Sequence, residues 1–174
     1  ISSKNSTIDT NSPYYIGMIK RNRKNTRFLV IGKSDGTNPP PQIVGIHFSR
    51  LSGEFSNIRH FRIAIPTKEM FYNEEDKVND LSRIAKRGEV FPDVQILHTL
   101  LPKKNSDGNY ILQYYAPFHS KKSVKNFAIR DNNDEETLFI ICQISFGFCK
   151  LIRKDPITPL ISFAMAVSIL TTKK

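Results

Sequence analysis

Cysteine is nearly missing from this chain, tryptophan is missing altogether, and no apolar run is long enough to cross a bilayer. The 174 residues include two cysteines, Cys142 and Cys149, both in one apolar stretch without ligand-like neighbours. Two thiols make no disulfide framework, which points to a reducing cytoplasmic or nuclear compartment. No basic-then-apolar signal segment opens the chain. Helix-favouring Ala is scarce, while Ile, Phe, Val and Tyr are plentiful, and this leans the fold toward strands. Twelve Phe and six Tyr, within 39% hydrophobic residues, fill a core of one domain and exclude a disordered chain.

Acidic charge is also short. The formal net charge is +10, and seven of the sixteen acids sit in two clusters, Glu74–Asp76 and Asp131–Glu136. The remaining surface is strongly cationic and suits an anionic partner: nucleic acid, an acidic protein or an anionic membrane. The cations gather in Lys20-Arg21-Arg23-Lys24-Arg27, Lys103-Lys104, Lys121-Lys122-Lys125 and Arg153-Lys154.

Ile1–Ser12 has little to bury and reads as a loose tail; residues 13–174 read as one domain. Tyr14–Lys20 and Arg27–Lys33 flank the basic turn Arg21–Asn25, a hairpin with a cationic tip. After the proline-rich loop Asp35–Pro41, Gln42–Phe48 and His60–Ile65 follow as strands. Glu74–Arg87 carries an apolar stripe at Val78, Leu81, Ile84 and Ala85, with acids first, Lys86 and Arg87 last, and Gly88 as cap, so a helix is predicted there. Val94–Leu100 and Asn109–Tyr115 surround Asp107-Gly108, a strong hairpin signal. Ser123–Ile129, Leu138–Ile144 and Phe148–Ile152 complete a run of short strands typical of a sandwich or barrel.

Thr158 caps a last helix and Pro159 suits its first turn. From Ile157 to Leu170, ten of fourteen residues are apolar, and they cover every face. A helix of that length spans about 21 Å, short of the ~30 Å hydrocarbon core, and a helix apolar all round must be enclosed. Only the strands are there to enclose it. The expected fold is therefore mainly β: a closed antiparallel β-barrel with a buried central C-terminal α-helix, in which Ser162 and Ser168 bond back to the helix or to the wall.

Signs of catalysis are wanting. Gly32-Lys33-Ser34 resembles the tail of a phosphate loop, but Arg27 stands where that motif needs its first Gly. His47, His60, His98 and His119 are scattered without ligand spacing. No nucleophile elbow, carboxylate pair or calcium loop appears. Neither an enzyme, a cofactor nor a metal site is expected.

Ser123-Val124-Lys125-Asn126-Phe127-Ala128-Ile129 resembles the Ser-Val-Lys-Asn-Phe-Gln signature of the Tubby family. Pro159-Leu160-Ile161-Ser162-Phe163-Ala164-Met165-Ala166 is similar to that family's Pro-Leu-x-x-x-Phe-Ala-Ile ending, and Pro13-Tyr14-Tyr15, Arg27–Gly32, Phe61–Pro66 and Leu81-Ser82-Arg83 fit its order. The resemblance implies a twelve-strand barrel filled by the C-terminal helix. It also implies a non-enzymatic adaptor that binds phosphatidylinositol 4,5-bisphosphate at the plasma membrane and carries membrane-protein cargo or signalling proteins. Gly32-Lys33 matches a family Gly-Arg-Lys stretch, Gln42 a family Asn, and Arg50 the Arg of an Asp-Leu-Ser-Arg turn. Ser52–Asn57 lacks both cations of the family's Gly-Lys-x-Arg-Ser-Asn motif.

The expected lipid ligands are Lys33, Gln42, Arg50 and Arg59, within the field of Arg21, Arg23, Lys24 and Arg27. The expected location is cytoplasmic and peripheral at the plasma membrane. The alternatives are a nuclear DNA-binding regulator using the same basic surface, a barrel related to the phospholipid scramblases, and a protein-interaction scaffold that has lost lipid binding.

Overall fold

The structure is a computed structural model that describes residues 9–53, 56, 59–76, 78–113, 123, 126–131 and 136–172. Lys121, Lys122, Lys125, Glu54 and most of the Asp131–Glu136 cluster lie outside the described residues, as does the tail before Asp9.

Asn22 closes the first hairpin. Its side-chain oxygen accepts from the backbone N–H of Thr26 (2.8 Å) and Arg27 (2.9 Å), while Asn25 takes the left-handed conformation at φ 52°. The hairpin joins β1 (Gly17–Arg21) to β2 (Arg27–Gly32), and β3 (Gln42–Arg50) and β4 (Arg59–Pro66) extend the ladder. After helix α1 (Leu81–Arg87) come β5 (Val94–Thr99), the short β6 (Lys103–Lys104) and β7 (Tyr110–Ile111), then β8 (Phe127–Asp131), β9 (Thr137–Ser145), β10 (Phe148–Arg153) and helix α2 (Pro159–Thr171). Eight strands form one antiparallel sheet in the order β1-β2-β3-β4-β5-β8-β9-β10, and β6 pairs with β7 in a separate ribbon.

Both faces of the central strands are covered. Phe28 and Val30 of β2, Val44, Ile46 and Phe48 of β3, and Phe61, Ile63 and Ile65 of β4 lie in one cluster with Ile161, Ala164, Met165 and Ile169 of α2. The alternate residues Leu29, Ile31 and Ala64 pack instead with Leu81, Ile84 and Ala85 of α1. Burial on both sides accounts for the unbroken apolar run of β2, which would otherwise alternate. A third cluster, Ala128, Ile140 and Cys142, sits on the outer face of β8 and β9.

The fold is mainly β, as expected, with one large antiparallel sheet and a C-terminal helix; among the described residues β1 and β10 are the sheet's two edges, and no ladder joins them. The expected burial of α2 on every side is met only in part. Its Ile161, Ala164, Met165 and Ile169 are buried, but Phe163 is 62% and Leu170 42% exposed. The described strands wall only part of the circumference that an all-apolar helix presents. The hydroxyls behave as expected, Ser162 donating to the Thr158 carbonyl (3.0 Å) and Ser168 to that of Ala164 (2.8 Å).

The predicted first helix is also shorter than its apolar stripe suggests. Asp76 accepts from the N–H groups of Val78 (3.1 Å) and Asn79 (3.3 Å), and Asn73 from that of Glu75 (2.9 Å). Such local side-chain bonds hold the segment in turns. The helix starts only after Asp80, whose carboxylate accepts from Ser82 N–H (2.6 Å), and it ends on left-handed Gly88.

Candidate functional site

Strand direction sorts the cations. β1, β3, β5 and β9 run toward one end of the sheet, and β2, β4, β8 and β10 return from it. At this hairpin end stand exposed Arg21, Arg23 and Lys24, half-buried Arg27, exposed Arg50 and half-buried Arg59. Arg50 and Arg59 face each other directly across the β3–β4 ladder. The C-terminus of α2 reaches the same end, because the Arg59 guanidinium donates to the Ile169 carbonyl at 3.2 Å. Burial lowers Arg59 from its ordinary value.

The four expected lipid ligands do not assemble. Lys33, just past the end of β2, lies beside Gln42 at the start of β3, whereas Arg50 is at the other end of that strand, about 26 Å from Gln42 at the usual rise. Lys33 is exposed, and its ammonium donates to the Ser12 carbonyl at 3.1 Å. Gln42 is only 5% exposed. Its NH₂ donates to the Phe71 carbonyl (3.0 Å) and its oxygen accepts from Leu81 N–H (2.9 Å), so the amide ties β3 to the entry of α1. With its surface covered and each end of the amide held by a backbone group, the side chain is a tie within the protein. Reading Gln42–Phe48 as one strand already sets Gln42 and Arg50 toward opposite ends; the bonds that bury the Gln42 amide had no signal in the sequence.

Beside the cationic hairpin lies a cleft of about 210 Å³, which Arg21, Arg27 and Arg83 share with Glu74, Asp76 and Asp80. Lys20 also borders it, donating to Tyr72 Oη and Glu74 Oε1 at 2.9 Å each and lying 4.2 Å from the Tyr72 ring centre. The bond to Tyr72, followed by that to Glu74, raises the Lys20 ammonium above its usual range although burial opposes this. Arg83 is a cation that the sequence reading assigned no site role. Its signal was present, as the one charged residue inside the α1 stretch Leu81–Ala85.

On the outer face, cross-strand pairing aligns Arg27, His47, Arg62, His98 and Arg130 in one row. His60 lies close by, its ring centre 5.8 Å from that of His98. Burial first, and the neighbouring cations second, push His47 down to about 4; burial and then His98 do the same to His60. Among the described residues no group of His, Cys, Asp and Glu is placed to hold a metal ion. Nor is any described helix long and apolar enough to cross a membrane.

No protein-family model matches the chain, and no curated protein matches it either.

Proposed function

We propose that this chain is a Tubby-like, non-enzymatic adaptor that binds phosphoinositides at the cytoplasmic face of the plasma membrane. In this reading the eight described strands of the sheet, with α2 packed on its inner face, belong to the family's closed barrel. The observation that carries the proposal is the meeting of Arg21, Arg23, Lys24, Arg27 and Arg50 at one end of the sheet. Arginine forks and lysine point charges suit phosphate groups, and each cation near an anionic leaflet contributes about 1 kcal/mol. Lys33 and Gln42 leave the ligand set, for the reasons of distance and bonding given above; the hairpin-end cations replace them.

Sedimentation with liposomes at physiological salt tests this. Vesicles containing phosphatidylinositol 4,5-bisphosphate are compared with phosphatidylserine vesicles of matched charge. The expected result is preference for the phosphoinositide and at least about tenfold weaker binding in Arg23→Glu/Arg50→Glu. Equal binding to both vesicles that fades with salt overturns head-group recognition. Absence of vesicle binding beside steeply salt-dependent DNA binding would establish the nuclear alternative.

A further inference from the structure

We infer that the β9–β10 hairpin tip is a wedge that enters an anionic bilayer, set at the same end of the sheet as the cations. The inference rests on the membrane-binding reading above and adds to it the apolar contact that charge alone does not supply.

The tip is Phe146-Gly147, a two-residue connection between Ser145 and Phe148. Gly147, at the second turn position, takes φ +78°, as a type II turn requires. Turn positions are ordinarily held by Gly, Pro, Asn, Asp or Ser, and the first here is Phe146, 94% exposed. Phe148 beside it is 68% exposed and Ile144 39%. Phe146 and Phe148 belong to none of the core clusters. The β6–β7 turn of the same chain, Asn105-Ser106-Asp107-Gly108, shows the ordinary polar solution.

Position decides what the tip meets. β9 runs toward the hairpin end, so Phe146 projects from the end that presents Arg23, Lys24 and Arg50. Among the described residues β10 is an edge strand, and no strand neighbours the hairpin on that side. A bilayer interface is the surface that takes apolar rings and cations together: phenyl groups enter the acyl boundary while guanidinium and ammonium groups stay among the phosphates.

The chain contains no Trp, so Phe146→Trp places a single fluorescent reporter at the tip. The probe is phosphatidylcholine vesicles doped with phosphatidylinositol 4,5-bisphosphate, with or without brominated acyl chains. The expected result is a blue shift of several nanometres on binding, and quenching by bromines near the interface. In parallel, Phe146→Ser/Phe148→Ser should bind these vesicles at least about tenfold more weakly with an unchanged melting temperature, since both rings are exposed. If the vesicles sediment the protein while the indole keeps its aqueous emission, or if the double variant binds as the parent does, the wedge is refuted and membrane binding stands. If the parent does not sediment at all, the membrane reading itself falls. A blue shift without vesicles that grows with protein concentration would assign the tip to a second copy of the chain and overturn the inference.

Discussion

The Arg59 guanidinium donates to the carbonyl of Ile169 at 3.2 Å, joining the start of β4 to the last turn of α2 across 110 positions of sequence. Last-turn carbonyls have no partner within their own helix, and a cation beside them also opposes the negative end of the helix dipole. Arg50, directly opposite on β3, is exposed instead. The two arginines therefore divide the work. Arg59→Met should destabilise the fold by about 2 kcal/mol, the scale of a hydrogen bond to a charged group, lowering the melting temperature by about 4–8 °C. Arg50→Met should leave the melting temperature nearly unchanged and weaken vesicle binding more than Arg59→Met does. Thermal denaturation and liposome sedimentation on the two variants check both halves. The reverse pattern would place the phosphate contact on Arg59.

Gln42 is predicted to be a fold residue without a lipid role. Gln42→Leu keeps the apolar volume but removes the donor to the part-exposed Phe71 and the acceptor for the buried Leu81 N–H. A buried N–H left without a partner costs about 1–3 kcal/mol. Urea denaturation should show a loss within that range. The fraction that remains folded should bind phosphoinositide vesicles with parental affinity; a selective loss of affinity would return Gln42 to the binding site.

Gly45 fixes how closely α1 lies on the sheet. A Cβ at this position of β3 would overlap the backbone carbonyl of Leu81 and the backbone nitrogen of Ser82. Backbone atoms cannot swing aside as a side-chain end can. Gly45→Ala should therefore cost about 3 kcal/mol or more through overpacking and lift α1 from the cluster of Leu29, Ile31 and Ala64. Hydrogen exchange would localise the effect, with protection lost first in the amides of Ile84–Gly88. Near-parental stability would show that α1 repacks freely.

Much of the fold was legible because short-range rules governed it. Asn22 and Gly108 mark their turns, Thr158 and Pro159 start α2, and most apolar runs from Arg27 to Ile152 become strands within a few residues of where they were expected. The run Asn109–Tyr115 is the exception: it gives only Tyr110–Ile111, paired with Lys103–Lys104 instead of the Val94–Leu100 run, and Tyr114 and Tyr115 lie outside the described residues. The misreadings share one physical cause, the need to know a tertiary neighbour. Val78 fits the apolar stripe of a longer α1 but is 61% exposed, because Asp76 holds it in a turn and Asp80 caps the helix only after it. The apolar circumference of α2 implies a wall on every side, yet the extent of that wall depends on how far β1 and β10 lie apart. The site was less legible still. The family resemblance flagged Lys33, Gln42 and Arg50 together, while the nine-residue length of β3 separates the first two from the third.

The histidines on the outer face make the fold sensitive to mild acid. His47 and His60 are both held at about 4, by burial first and then by neighbours that include Arg62, and burial likewise lowers His98. An imidazole freed by unfolding titrates near its ordinary value of about 6.5. The folded chain thus keeps these rings neutral over a range where the unfolded chain protonates them, and the unfolded state binds more protons. Their contribution to stability is complete above pH ~6.5 and is lost as the pH falls from there to about 4. Exposed carboxylates such as Asp35 and Asp76, held below their usual range by hydrogen bonds, act at lower pH still. Denaturation midpoints measured between pH 7 and pH 4 should therefore decline steadily, and His47→Gln/His60→Gln should flatten the decline. An equally steep decline in that variant would assign the acid sensitivity to groups other than these two rings.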